Sequence, residues 1–307
     1  MKARWALLLL LAGCGKEPDR PTVPENGGGP PEIPPLPAVQ AAQPEWTRRE
    51  SVTELEPGGE TAFAWNLADT AHFAYALVQH TQLASTATSK GQALEMKVRS
   101  KLDGYVEIVG GGNGRAELRY KRTLREQVQD GQAVPPAKIN EDKPSLFQGI
   151  LLEDGKIQSL SKLSGNAESP YLDFLCALPS KPLSPGGTSE VAVHFGTNVD
   201  DYGYHGRVVF RHAGRAKVGR RECVRLESVV DLELASPRAM ETKGRLVGRV
   251  TAYFDPAGRC LTALDAALTL LAHSRALVSP PEGKGPPFWT VGRSQCDSQI
   301  GLRLKED

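Results

Sequence analysis

The sequence predicts a mainly β protein: a large antiparallel meander, folded as a half-barrel, a twisted sheet or a sandwich, carrying one short helix and preceded by a disordered tether. Three observations carry that expectation. From about Trp46 onward the dominant apolar period is two, the spacing of a half-buried strand. Helical periodicity is scarce. Turn signals such as Ala213-Gly214 and Pro256-Ala-Gly258 recur at intervals that suit consecutive antiparallel strands.

The chain opens with Met1-Lys-Ala-Arg-Trp, continues through an apolar run from Ala6 to Leu11, and reaches Ala12-Gly13 before Cys14. A cationic start, an apolar core shorter than the ~20 residues that span a bilayer, and small residues at the end make residues 1–13 a secretory signal peptide. Leu11-Ala12-Gly13-Cys14 resembles the lipobox of bacterial lipoproteins. That resemblance implies diacylglyceryl transfer to the Cys14 sulfur, cleavage before it, and acylation of the new amine, as with palmitate. Each buried methylene adds about 0.8 kcal/mol, so two or three chains make the attachment permanent. In the sorting rule of enteric lipoproteins an Asp after the cysteine retains the protein at the inner membrane. Gly15 stands there instead, which implies the outer membrane, with the body facing the periplasm or exposed on the surface.

Residues 14–45 are dense in proline and glycine, including Gly27-Gly28-Gly29-Pro30-Pro31 and Pro34-Pro35-Leu36-Pro37. Such a stretch buries too little apolar surface to order itself and is expected as a lipidated linker. Residues 46–307 then form a single β-rich domain. Removal of 1–13 takes Lys2 and Arg4 and no acidic residue, leaving 35 basic against 36 acidic side chains. A near-neutral body gives no electrostatic case for nucleic acid. The broken apolar stretch from Leu261 to Val278 is interrupted by Asp265, His273 and Arg275, so the lipid is the expected membrane attachment.

Within the body, Phe73, Tyr75 and Leu77 alternate with Ala74, Ala76 and Val78, and Leu94, Met96 and Val98 with Glu95, Lys97 and Arg99. Gly110-Gly-Gly-Asn-Gly114 has no helix pattern behind it, so a phosphate loop is not expected. As a hairpin loop it sets Ile108 opposite Ala116 and Val106 opposite Leu118 on an apolar face, with Glu107 opposite Glu117 and Tyr105 opposite Arg119 on a polar one. Glu153-Asp-Gly-Lys156 closes a second hairpin. A short helix is expected over 167–178, ended by Pro179 and Pro182. Strands follow over 188–196, 203–213, 221–235, 245–255 and 259–273.

The order of these pieces resembles a family of uncharacterised bacterial lipoprotein domains over roughly residues 60–273. The shared features are a long first hairpin, a Gly-Lys turn, a segment like Leu178-Pro-Ser-Lys-Pro-Leu-Ser-Pro-Gly-Gly187 and a closing strand begun by Tyr253-Phe-Asp-Pro-Ala-Gly258. Thr188-Ser189 departs from the Asp-Thr-Trp-like strand start of that pattern. The resemblance implies the architecture and supplies no catalytic residues.

With Cys14 lipidated, Cys176, Cys223, Cys260 and Cys296 remain, an even number for an oxidising compartment. Four cysteines allow three pairings. If Leu234 lies opposite Leu246, Cys223 reaches the turn just before Cys260, which predicts a Cys223–Cys260 disulfide and leaves Cys176 with Cys296 to staple the tail. Four free thiols are the alternative. No Cys-x-x-Cys spacing suggests zinc.

For metal, the candidate is a hairpin pairing Phe195 with Tyr204, which sets His194 opposite His205; two exposed polar residues on a solvated face are the alternative. His72 and His80 share parity but stand far apart. Ser159-Leu-Ser-Lys162 matches Ser-x-x-Lys but lacks the helix, Ser-Asp-Asn and Lys-Thr-Gly that this chemistry needs. No catalytic residue and no cofactor is therefore expected. Two functions remain: a lipid-anchored, non-catalytic β domain that binds or scaffolds another envelope component, or a carrier of lipid or another hydrophobic ligand on a concave sheet, architecturally like periplasmic lipoprotein carriers. For the carrier, inward apolar residues should outnumber those that the covering segment can bury.

Overall fold

The computed structural model describes residues 31–39, 42, 52–89, 92–135, 138–139, 145–164, 175–196, 203–236, 241–278 and 288–305. The signal segment, Cys14 and most of the proline-rich stretch lie outside these. The strands are β1 (Val52–Leu55), β2 (His72–Ser89), β3 (Gln92–Gly110), β4 (Arg115–Gln129), β5 (Gln132–Ala133), β6 (Ser145–Leu152), β7 (Ile157–Ser164), β8 (Thr188–Gly196), β9 (Gly203–Val218), β10 (Arg221–Ser236), β11 (Glu241–Asp255), β12 (Cys260–Val278) and β13 (Phe288–Leu304). They form one curled antiparallel half-barrel sheet in the order β1-β9-β10-β11-β12-β13-β2-β3-β4-β6-β7, with β8 also on β9 and β5 on β4. No helix of regular length occurs among the described residues. The helix expected over 167–178 falls mostly outside them, and its end, Leu175 to Leu178, is buried.

The sheet is two meanders joined in the middle. β9 to β13 run consecutively, as do β2 to β4, and β13 then pairs with β2 from Thr290↔Ser89 to Leu304↔Tyr75. Sequence periodicity marks no strand in this tail. Its inward positions, Thr290, Gly292, Ser294, Cys296 and Ser298, are small or polar, so the apolar alternation that marks the other strands is missing.

Three hairpin registers test the sequence reading. Phe195 pairs with Tyr204 and His194 with His205 as expected. In the β3–β4 hairpin Ile108 lies opposite Leu118, two residues from the expected partner, because Gly112, Asn113 and Gly114 all take positive φ and shape a longer loop. A two-residue shift keeps every side chain on its face, so the apolar and polar sides are as expected. The same shift occurs between β10 and β11, where Leu232 rather than Leu234 faces Leu246.

The concave face holds the core. Tyr75, Leu77, Val106, Ile108, Leu118, Leu226, Leu232, Leu246 and Leu264 point inward. One end of this half-pipe is plugged by two irregular segments. Phe63, Trp65 and Leu67 come from the first, and Leu175, Leu178 and Leu183 from the second. Reciprocal Thr61–Leu183 backbone hydrogen bonds of 2.9 Å tie the two together. Trp65 is 1% exposed and its indole Nε1 donates to the Cys176 carbonyl at 3.0 Å. At Gly155, with φ of 80°, an added Cβ would stand 1.9 Å from that same carbonyl, so the β6–β7 turn and the plug meet at a point only glycine fits.

The convex face is charged. Arg245 grips Asp231 through two hydrogen bonds of 2.8 and 2.9 Å, Arg211 meets Glu227 at 2.8 Å, and Lys101 meets Glu126 at 2.9 Å. Such exposed pairs each contribute at most about 1 kcal/mol. Part of the proline-rich stretch also reaches the sheet. His273 Nδ1 lies 3.0 Å from the Pro34 carbonyl, Arg275 donates to the Pro31 carbonyl at 2.7 Å, and Ile33 is buried. Within the linker expected over residues 14–45, residues 31–39 therefore lie against the sheet.

Candidate functional site

The four cysteines are free thiols. Both predicted bridges fail on topology. Cys223 stands beside Asp255 across β10–β11, and Asp255 pairs with Cys260 across β11–β12, so a whole strand separates the two cysteines. Two strand spacings are about 10 Å, beyond the ~7 Å that a disulfide spans. Cys223 Sγ instead bonds Thr262 Oγ1 at 3.3 Å. Burial pushes the Cys223 thiol up to about 11 and the Cys260 thiol to about 12. Cys176 lies in the plug beside Trp65, and its thiol, like that of Cys260, raises the pKa of the fully buried Tyr75 hydroxyl beyond what burial does. Cys296 faces Leu83, eight residues along β2 from Tyr75 and so about 26 Å away.

His205 is half-exposed and lies 3.4 Å from Glu233. The side chain of His194 lies outside the described residues, and no group of three or more metal-ligating side chains occurs among those described. His72 is exposed and meets Glu107 at 3.0 Å on the convex face. Ser159, with φ of 54°, sits on the outermost strand β7 rather than at a helix start. Cys14 lies outside the described residues.

The structure brings together a different set of side chains on the concave face. At the plugged end the packing is complete. The space under Leu175, Ala177 and Leu178, against Val208, Phe210 and Leu226, amounts to about 10 Å³, room for a single water. Farther along the pipe the inward apolar residues Leu83, Val98, Leu102, Leu124 and Leu270 remain partly accessible. The inward face is thus packed under the plug, partly accessible in a trough along Leu102, Leu124, Val98 and Leu83, and buried again at Ala87 and Met96, against which Leu83 and Val98 pack.

A polar belt crosses the face where plug gives way to trough. Arg122, 9% exposed, donates from Nη1 to Gln79 Oε1 at 3.4 Å, and Gln79 Nε2 donates to Thr81 Oγ1 at 3.2 Å. Thr81 Oγ1 lies 3.5 Å from Ser298 Oγ, which lies 3.9 Å from Cys296 Sγ. The belt spans β4, β2 and β13. Gly104 on β3 stands between Arg122 and Leu77 in the register, leaving the guanidinium a path across that strand. Sequence reasoning missed Arg122 because it sits in a run of basic residues, Lys121-Arg122 with Arg119 and Arg125. Parity was the available signal: Ala116, Leu118, Tyr120 and Arg122 share the inward face.

The chain matches no protein-family model and no curated protein. Among solved structures, a Pseudomonas aeruginosa FadL homologue aligns at 7% identity over 80% of this chain and 99% of that one, with a TM-score of 0.21. A DUF1329 family protein from Desulfovibrio piger ATCC 29098 aligns at 14% identity over 74% and 85%, with a TM-score of 0.14. OccK11 (OpdR) of Pseudomonas aeruginosa aligns at 9% identity over 80% and 100%, with a TM-score of 0.21. At these TM-scores the likenesses carry no argument about this chain.

Proposed function

We propose that this chain is a lipid-anchored envelope protein whose β domain binds a hydrophobic ligand in the trough beyond the plug. The observation that carries the reading is the partial accessibility of Leu83, Val98, Leu102, Leu124 and Leu270 on inward rows of the sheet. Folding ordinarily buries the concave face of such a sheet against a covering layer. Here the covering segments fill one end, and apolar surface remains for a ligand to cover. A scaffold that binds other proteins through its outer surface has no need of that unfilled face.

The test is photolabelling of the full chain, in dodecyl maltoside micelles, with a sixteen-carbon chain bearing a diazirine. Crosslinks mapping to inward residues of β2, β3, β12 and β13 are the expected result; crosslinks confined to the convex face refute ligand binding in the trough. The anchor is tested separately. Cys14→Ala is expected to abolish incorporation of labelled palmitate and release the protein from the membrane fraction, and a labelled, membrane-bound variant refutes the lipoprotein reading.

A further inference from the structure

We infer that residues 31–39 are a strap that decides which end of the half-barrel faces the membrane: the end opposite the plug is held toward the lipid surface, and the plug points away from it. The inference rests on the lipid-anchor reading above and adds the orientation of the body. Its first observation is where the chain joins the sheet. β1 begins with Val52 opposite Val218, where β9 turns into β10. That is the plugged end, since β10 there pairs Val224 with Phe254, whose ring lies 5.4 Å from that of Phe63 in the plug. A linker running straight from Cys14 to Val52 would hold the body by its plugged end.

The second observation is that the chain visits the opposite end first. Arg275 holds the Pro31 carbonyl at 2.7 Å and His273 Nδ1 the Pro34 carbonyl at 3.0 Å, so the segment runs antiparallel to β12 with its N-terminal side toward Val278. Prolines lack an N–H, and the extended backbone they favour leaves its carbonyls to be met by side chains. Ile33, between the two contacts, is buried. The outer row of β12 carries the footprint: Ala267, Thr269, Leu271 and His273 are buried on the convex side, while Arg249 and Arg293 on the flanking strands are exposed. The Arg275 guanidinium also lies 5.9 Å over the Trp289 ring, which fixes the point where the strap begins. Lengths then decide between the two ends. From Arg275 back to Leu264, beside the plug, β12 covers about 36 Å at ~3.3 Å per residue. Between Cys14 and Pro31 stand the residues 15–30, and a linker of that length spans ~20–25 Å root-mean-square. The lipid therefore holds the Arg275 end close, and the plug stands off by the length of the sheet.

The experiment reads orientation on the full lipidated chain, reconstituted in phosphatidylcholine vesicles that carry a rhodamine headgroup as energy acceptor. A donor dye is attached through an azide-bearing residue introduced either at Gln92 or at Arg220, so that no cysteine is altered. Both positions are exposed. Gln92 lies beside the row that links Arg275 through Val291 and Thr88 to Ala93, and Arg220 lies in the β9–β10 turn at the plugged end. The two ends are about 50 Å apart along the sheet, so energy transfer is expected to be about twofold or more higher from Gln92 than from Arg220. Ile33→Asp places a charge in the buried contact and is expected to reverse that order, because the tether then leaves the body at Val52. Ile33→Val is expected to keep it. Equal transfer from the two sites, or more from Arg220, in the unsubstituted chain overturns the inference. An unchanged order in Ile33→Asp overturns the strap as its cause. A chain that does not float with the vesicles overturns the lipid anchor and the orientation with it, whereas photolabelling of the trough in micelles is independent of all these outcomes. Should Ile33→Asp not fold by circular dichroism, the order in the unsubstituted chain and its loss in Arg275→Ala decide.

Discussion

Replacing Trp65 with Phe separates two descriptions of the plugged end, a permanent core or a movable lid. The indole is 1% exposed, lies edge-on to Tyr75 at 6.4 Å and tilted against Phe73 at 6.1 Å, and donates to the Cys176 carbonyl. Phe removes the donor and leaves a buried carbonyl without that partner, a loss of about 1–3 kcal/mol. The smaller ring also leaves about 40 Å³ unfilled, worth ~1 kcal/mol at ~24 cal/mol per Å³. Together these predict a loss of about 2–4 kcal/mol, or roughly 5–10 °C in melting temperature for a domain of this size. Urea and thermal unfolding followed by far-ultraviolet circular dichroism measure it on the full chain. Photolabelling of the trough should be unaffected, because the space under Leu175 to Leu178 admits no more than a single water. A loss below about 0.5 kcal/mol, or unchanged stability with increased labelling, would refute the plug as core and identify it as a lid.

Two further outcomes follow from buried titratable groups. His212 is 0% exposed, its Nδ1 accepts from the Gly214 N–H at 3.2 Å, and burial holds its pKa below the usual value. The folded state therefore resists a proton that the unfolded chain takes up near pH 6.5, so stability is full above that pH and declines as pH falls below it. The melting temperature should drop between pH 7 and pH 5.5, less steeply in His212→Gln; identical slopes would show that this ring does not contribute. With the Cys223 and Cys260 thiols pushed up to about 11 and about 12, maleimide at pH 7.5 should modify Cys296 first and reach those two only on unfolding. A Cys223–Cys260 peptide in a non-reduced map would contradict the β10–β11–β12 register.

Where alternation and burial coincide, the sequence was legible. The strands around Tyr75, Ile108, Val208 and Leu226 have apolar residues on one face because that face packs, and the strand pattern is written directly in the chain. β13 was not legible for the same reason inverted: half of its inward positions line an unfilled, partly polar trough, so nothing selected for large apolar side chains there. Register was legible in parity throughout, and in phase only for β8–β9 among the three hairpins. Between β3 and β4 a loop with three residues at positive φ shifts partners by two, and β10–β11 carries a shift of the same size; such shifts preserve faces and misplace pairs, and the predicted Cys223–Cys260 bridge depended on the pair rather than the face. Arg122 was hidden among neighbouring basic residues, since composition does not say which face a charge occupies.

The position of β13 has a consequence for biogenesis. The last long strand of the chain lies in the middle of the sheet, between β12 and β2, whose first residues precede it by more than two hundred positions. During folding the β2–β4 and β9–β12 meanders can each form early from local hairpins. Neither can join the other until β13 is available to pair with both. Until then β2 and β12, 18 and 19 residues long, are open edges able to pair with other chains. Loss of β13 would therefore divide the protein into two sheets rather than trim an edge, and the interval before β13 pairs is when the chain is most open to edge-to-edge association.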